Sequence, residues 1–128
     1  MRIYGLSREQ DTRWGQAHGP IAEWWKKAAP DEFTIVLGHH PNYVMKVTDV
    51  PIDLCLAGHT HGGQIVLPGL GALVVPSRLG RKRASGLFRE EGSQLFITRG
   101  VGEIFPPLRL GCPPEIALLV LRRAEAEG

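Results

Sequence analysis

The stretch "LCLAGHTHGGQ", residues 54 to 64, decides the fold. An apolar run of strand length stops at a glycine, and two histidines one residue apart separate that glycine from a Gly-Gly pair. The same plan occurs upstream in "FTIVLGHHP", residues 33 to 41, where His39 and His40 follow the glycine. Runs this short, continuously apolar and partly β-branched fit strands buried on both faces, as in a parallel sheet covered by helices. The spacing therefore predicts strands over 33–38 and 52–58 with a histidine group at each C-terminal end, the edge where open α/β sheets place their sites.

Working outward, Pro20 suits a first helical turn, and Ile21, Trp24, Trp25 and Ala28 recur at i, i+3, i+4 and i+7. This predicts an amphipathic helix from about 20 to 29, ended by Pro30 and Asp31. Pro41 starts a second, shorter helix through Tyr43, Val44 and Val47, and "RIYGL" reads as a short opening strand. Past Gly63 the texture changes to short β segments broken by Gly and Pro: "QIVLP", "ALVVP", "SGLFRE", "SQLFITRG" and "EIALLVLRR". A hairpin with Glu91-Gly92 near its tip is expected among them, and with it a mainly antiparallel second sheet. The expectation is one domain over 1–128, α/β with a mixed sheet in the first part and β-rich in the second, two sheets packed face to face.

Composition agrees with one core: 128 residues, 43% hydrophobic and 22% charged. "IALLVL" at 116 to 121 is far short of the roughly 20 apolar residues that cross a bilayer. The opening "MRIYGLSREQ" lacks the apolar core of a signal peptide, so a soluble cytoplasmic protein without a membrane partner is expected. Cys55 and Cys112 have no C-x-x-C spacing, and Cys55, inside an apolar run, reads as a small buried thiol. The net charge of +2 does not by itself imply nucleic acid, although "RLGRKR" at 78 to 83 gathers four of the fifteen basic side chains. Arg81 and Arg83, with Arg78 and Lys82, are candidates to steer a phosphorylated substrate, because guanidinium binds phosphate through paired hydrogen bonds. A solvated loop is the plainer reading, and with no aromatic interleaving nucleic acid is not favoured as a partner. Of the adjacent Trp24 and Trp25, one is expected in the core and the other at an exposed interface.

His59 and His61 point to one side if their segment is extended, and in a turn they reach neighbouring metals. Imidazole suits zinc, iron, manganese, nickel and copper, and Gly58, Gly62 and Gly63 let the backbone turn close to a ligand. Thr60 and Gln64 stand ready to add a polar group. A lone histidine is more often a surface group with a satisfied hydrogen bond, but four of them at two adjacent strand ends converge on a metal site.

"IVLGHHP" followed by "DLCLAGHTHGGQIVLP" resembles the C-terminal half of the calcineurin-like metallophosphoesterases, a bacterial branch in particular. The likeness runs on through "GLFREEGSQLFITRGVG" and "PLRLGCPPEIALLVL", covering roughly residues 33 to 122 and residues 1 to 15 only loosely. The resemblance implies half of a four-layer αββα sandwich and a two-metal site in which His39 and His59 bind one ion and His61 the other. It implies divalent Mn, Fe or Zn, one or two per site, activating water for in-line attack on a phosphate ester. Diesters or a promiscuous range are the expected substrates, because no pocket for a dianion can be read from the sequence. His40 is left as a further ligand or as the catalytic proton donor to the leaving oxygen. Asp49 and Asp53 are weaker carboxylate candidates that read better as turn or cap residues.

The family's N-terminal D-x-H, its G-D-x-x-D with the metal-bridging aspartate, and its G-N-H-D/E are all missing from these 128 residues. Three explanations compete: a piece of a larger enzyme, a minimal version whose site is completed by self-association into a dimer, or a protein that binds one metal without turnover. The second is the working expectation, since an isologous interface lets one half imitate two. A non-catalytic interaction module is the contrasting class.

Overall fold

The computed structural model of the chain describes residues 1–12, 18–46, 50–90 and 92–122. Val47, Asp49 and Glu91, assigned above to a helix end, a turn or cap, and a hairpin tip, lie outside them. The chain opens with β1 (Arg2–Gly5), α1 (Arg8–Thr12) and α2 (His18–Trp25). Then come β2 (Thr34–Leu37), a 3-10 turn over Pro41–Lys46 and β3 (Leu54–Ala57). Two short strands, β4 (Val66–Leu67) and β5 (Gly71–Ala72), precede the hairpin of β6 (Gly86–Glu90) and β7 (Ser93–Ile97).

Five strands form one mixed sheet in the order β1-β2-β3-β7-β6. β1, β2, β3 and β7 run parallel, and β6 returns antiparallel to β7. The register aligns Tyr4, Val36, Cys55, Leu95 and Phe88 in a row across one face. That row meets Ile21 of α2 together with Tyr43, Val44, Val50 and Ile52 to make the core. The apolar texture of β2 and β3 follows from burial on both faces, where Val36 and Cys55 on one side and Ile35 and Leu54 on the other are all buried.

Several expectations are corrected. β6 and β7 extend the first sheet instead of founding a second, because Leu95 and Ile97 at 0% exposure complete the core that Cys55 begins. The separate sheet shrinks to β4 and β5, paired antiparallel. "EIALLVLRR" is not a strand over its described residues: no described strand pairs with it, and Ile116 and Leu118 stand 91% and 89% exposed. The helix predicted from 20 begins at His18, which Pro20 tolerates because the first-turn N–H groups have no intrahelical acceptor. It closes early, with Lys27 and Ala28 bonding back three residues, to Trp24 and Trp25, in a tightened last turn. Neither tryptophan is exposed; both pack against the core, and Trp24 lies 5.3 Å from Tyr4, ring centre to ring centre.

The second face of the sheet is apolar and thinly covered. Leu37, Leu56, Phe96 and Leu87 are in register across it, with Leu37 and Leu87 exposed. The chain exposes 8575 Å². A compact monomer of 14.1 kDa exposes about 6,700 Å². Among the described residues no helix is long and apolar enough to cross a membrane.

Candidate metal centre

Parallel pairing puts the C-terminal ends of β1, β2, β3 and β7 on one edge of the sheet, so the segments after them meet there. After β1 comes α1, whose start is a capping box: Ser7 Oγ accepts from the Gln10 N–H at 3.3 Å and Gln10 Oε1 accepts from the Ser7 N–H at 2.9 Å. This turn aims Asp11 at the end of β2. The Asp11 carboxylate, 5% exposed, accepts from the backbone N–H of His39 at 3.1 Å, from that of His40 at 3.0 Å and from the His40 ring at Nδ1 at 2.6 Å.

His39 and His40 follow β2 and His59 follows β3. One ring nitrogen from each of the three lies within 4.8 Å of the other two. His59 Nδ1 and His39 Nε2 are 3.2 Å apart, and the His40 and His59 rings are 3.9 Å apart at their centres. Burial lowers the pKa of His59 from its ordinary value of 6.5, and the neighbouring His40 and His39 push the same way, while the Pro76 backbone opposes them. The ring is therefore held toward the neutral form that binds metal.

His61 is not one of this trio, yet it is near enough to add to the lowering of the His59 pKa. Its Nδ1 is 2.9 Å from the Gly102 carbonyl, which fixes Nδ1 as the protonated nitrogen. The loop that separates it from His59 is strained: His59, His61 and Gln64 have φ of 67°, 51° and 56°, values that non-glycine residues adopt at a cost of roughly 1–3 kcal/mol each. Gly62 and Gly63 share the left-handed region, and a Cβ on Gly62 would meet Cys112 Sγ at 2.5 Å and Arg99 Cγ at 2.6 Å. What sustains this turn is a set of buried polar side chains. Thr60 Oγ1 donates to the Ala84 carbonyl at 2.6 Å, and Gln64 binds the Ile104 N–H and the carbonyls of Ile104 and Pro106. Arg109 donates to the carbonyls of His61, Cys112, Arg99, Gly100 and Gly102.

Thr60 and Gln64 thus act on backbone rather than on a ligand. Asp53 is at the opposite end of the sheet, where its Oδ2 accepts from Thr34 N–H at 2.7 Å and Thr34 Oγ1 at 2.8 Å, tying the starts of β2 and β3. Arg81 gives Nε to the Ala72 carbonyl and Nη2 to that of Leu70, so much of its guanidinium braces the β5 loop. Both cysteines are buried, and neither is in a disulfide. Asp11 was missed by sequence reasoning, although "SREQ" at 7–10 has the S-x-x-Q pattern of a capping box and foretells a helix there.

The donor set fits a divalent transition ion: imidazole nitrogens, one of them backed by a carboxylate, in a strained loop between parallel strand ends. Residues 2–63 match the family model described as calcineurin-like phosphoesterase, so the match reaches β1 as well as the histidines. The chain is 39% identical over 90 residues to the metallophosphoesterase YkuE of Bacillus subtilis, covering 70% of this chain and 31% of that protein. It is 39% identical over 87 residues to the phosphodiesterase YaeI of Escherichia coli, covering 68% and 32%. To the UDP-2,3-diacylglucosamine pyrophosphatase LpxG of Chlamydia trachomatis it is 36% identical over 92 residues, covering 66% and 28%. The chain thus spans about a third of the length of the curated relatives it matches. No solved structure matches it. Strand order, histidine placement and these likenesses converge on one assignment: the chain belongs to the calcineurin-like metallophosphoesterases and carries histidine motifs of that family.

Proposed function

We propose that the chain supplies the histidine half of a metal-dependent phosphoesterase centre and hydrolyses phosphate esters, diesters in preference, once a complementary half is in place. The observation that carries this reading is the meeting of His39, His40 and His59 at adjacent parallel strand ends. His39 and His59 would hold one ion and His61 a second; Mn, Fe and Zn all suit such donors. A bound divalent cation supplies Lewis-acid activation of water and neutralises phosphate charge. The chain's own residues do the rest. Gly102 orients His61, Asp11 orients His40, and His40 serves either as proton donor to the leaving oxygen or as a further ligand. Arg83 and what remains of the Arg81 guanidinium lie on the turn that Thr60 fastens through Ala84, and add positive charge for an incoming phosphate.

The complementary half is proposed to be a second copy. The exposed row of Leu37 and Leu87 across the second face, with Ile116 and Leu118 beyond it, is the kind of apolar surface a partner layer covers. Two buried thiols outside any disulfide suit a reducing compartment, so the cytoplasm is the proposed location. The test is hydrolysis of bis-p-nitrophenyl phosphate by the wild-type chain and by His59→Ala and His61→Ala, with circular dichroism to confirm folding. Loss of rate in both folded variants, in a particle of at least twice 14.1 kDa by light scattering, supports the proposal. Unchanged rate in both would sink it, and a monomer that turns over would remove the dimer.

A further inference from the structure

We infer that the outer face of the β4–β5 hairpin, with the cations of the 3-10 turn Arg81–Arg83 along its edge, is a docking surface for an anionic lipid bilayer. The chain lies on the headgroup layer and does not cross it. This goes beyond the proposed phosphoesterase activity and needs neither metal nor turnover.

Three observations carry the inference. The first is a small apolar face separate from that of the main sheet. Val66 pairs with Ala72, the Leu73 N–H donates to the Ile65 carbonyl at 3.0 Å, and Ile65 bridges Leu110. Side chains alternate along each strand, so Ala72, 5% exposed, points inward while Ile65, Leu73 and Leu110 share the opposite side. Leu73 and Leu110 are 42% and 51% exposed there, and Leu70, in the turn between the strands, is 66% exposed. Aliphatic side chains gathered on one face mark an interaction site, unlike the single exposed leucines that any surface carries.

The second is the charge beside that face. Arg81 donates from Nε to the Ala72 carbonyl and from Nη2 to that of Leu70, which fastens the basic turn to the edge of β5 and leaves Arg81 and Lys82 exposed. From 54 to 88 the sequence holds four basic side chains, Arg78, Arg81, Lys82 and Arg83, and no acidic one, a formal +4 in a chain whose net charge is +2. The remaining residues therefore sum to −2, and the positive part of the chain is the part that carries the hairpin. Leucines that enter the acyl boundary, rimmed by Lys and Arg that meet headgroup phosphates, are the composition of a surface that rests in the bilayer interface. A second copy of the chain would set like charge against like across this face.

The third is the attachment of the face to the histidine turn. A Cβ on Gly63 would overlap Ala72 Cβ, so the hairpin packs directly on that turn. Thr60 fastens the residue after the basic turn through the Ala84 carbonyl. Hairpin, basic turn and histidine turn are thus packed as one block, and docking holds the histidines beside the lipid surface.

The test is co-sedimentation of the full chain with vesicles of phosphatidylcholine alone and of equal parts phosphatidylcholine and phosphatidylglycerol. The inference expects binding to the mixed vesicles, binding weaker by about tenfold or more to phosphatidylcholine alone, and release as potassium chloride is raised. Lys82→Ala weakens binding to the mixed vesicles about fivefold and Leu70→Ser about tenfold. Both side chains are exposed, so both variants fold, which circular dichroism checks. The double variant Ile116→Ser, Leu118→Ser, changed on the other apolar surface, binds within about twofold of wild type. Potassium phosphate matched in ionic strength releases the chain no better than chloride; specific release by phosphate assigns the cations to a free anion and overturns the inference. Wild-type binding by both Leu70→Ser and Lys82→Ala overturns it too, as does loss of binding in the Ile116→Ser, Leu118→Ser variant alone. No binding to either vesicle also refutes it, and a particle that then shrinks by light scattering in Leu70→Ser gives the face to a second copy.

Discussion

Arg109→Met tests how the histidine loop is held. Arg109 is 7% exposed, and its two Nη atoms donate to five main-chain carbonyls, the shortest contacts being Gly102 at 2.6 Å and Arg99 at 3.0 Å. The guanidinium cannot satisfy all five fully, so the two short bonds dominate; at roughly 1.5–3 kcal/mol for a charged donor they are worth about 3–6 kcal/mol together. Methionine recovers the packing of the stem, and the buried Nε, which has no hydrogen-bond partner, is relieved of its desolvation. The net loss is then about 3 kcal/mol, which at a slope near 1.5 kcal/mol per molar lowers the urea midpoint by about 2 M. Because Nη1 also spans the His61 and Cys112 carbonyls, the Cys112 thiol, 3% exposed, becomes reactive toward a disulfide reagent in the variant. Arg109→Lys recovers less than half of the loss, since an ammonium cannot reach carbonyls on both sides at once. A midpoint within 0.3 M of wild type, roughly 0.5 kcal/mol, with Cys112 still protected, would refute the reasoning.

Gly38→Ala is expected to destabilise by about 1–3 kcal/mol, because the new Cβ overlaps the ring of buried Tyr43, whose hydroxyl donates to the Val36 and Leu56 carbonyls; urea unfolding and the near-ultraviolet tyrosine signal check it. Glu115 binds Arg99 through Oε2 at 2.6 and 2.9 Å, and this hydrogen bonding holds its carboxyl below the usual 4.5. A depressed carboxyl contributes stability in full above the unfolded value and loses it as pH falls through the folded one. Protection of the Thr98–Gly100 amides, taken relative to intrinsic exchange at each pH, should therefore fall below about pH 4.5 in the wild type and show no such step in Glu115→Gln. A wild-type step absent below that pH, or retained in the variant, contradicts the assignment.

How far the sequence could be read depended on which interactions are local. β2, β3 and the histidines behind them were legible because continuous apolar runs leave few alternatives, and the same runs placed the site on the strand C-terminal edge. Short segments of the second half were harder. "SQLFITRG" has the pattern of any half-buried strand, and whether β7 joins β3 or starts a new sheet depends on Leu95 and Ile97 filling space beside Cys55, a contact invisible in one dimension. "EIALLVLRR" had the composition of a strand, and among the described residues no strand pairs with it. At the site, the family resemblance put forward His39, His59 and His61, but the contacts of His40 with Asp11 and of His61 with Gly102, whose carbonyl Arg109 also binds, come from residues distant in sequence.

The central claim, that this chain is the metal-binding part of a phosphoesterase, is tested most directly by metal content per chain on the size-exclusion peak, with bis-p-nitrophenyl phosphate hydrolysis measured on the same fractions. The account predicts at least one divalent transition ion per chain and hydrolysis that elutes with the metal-bearing oligomer. Metal-free protein after loading, or fully loaded protein that hydrolyses nothing in any fraction, would contradict it.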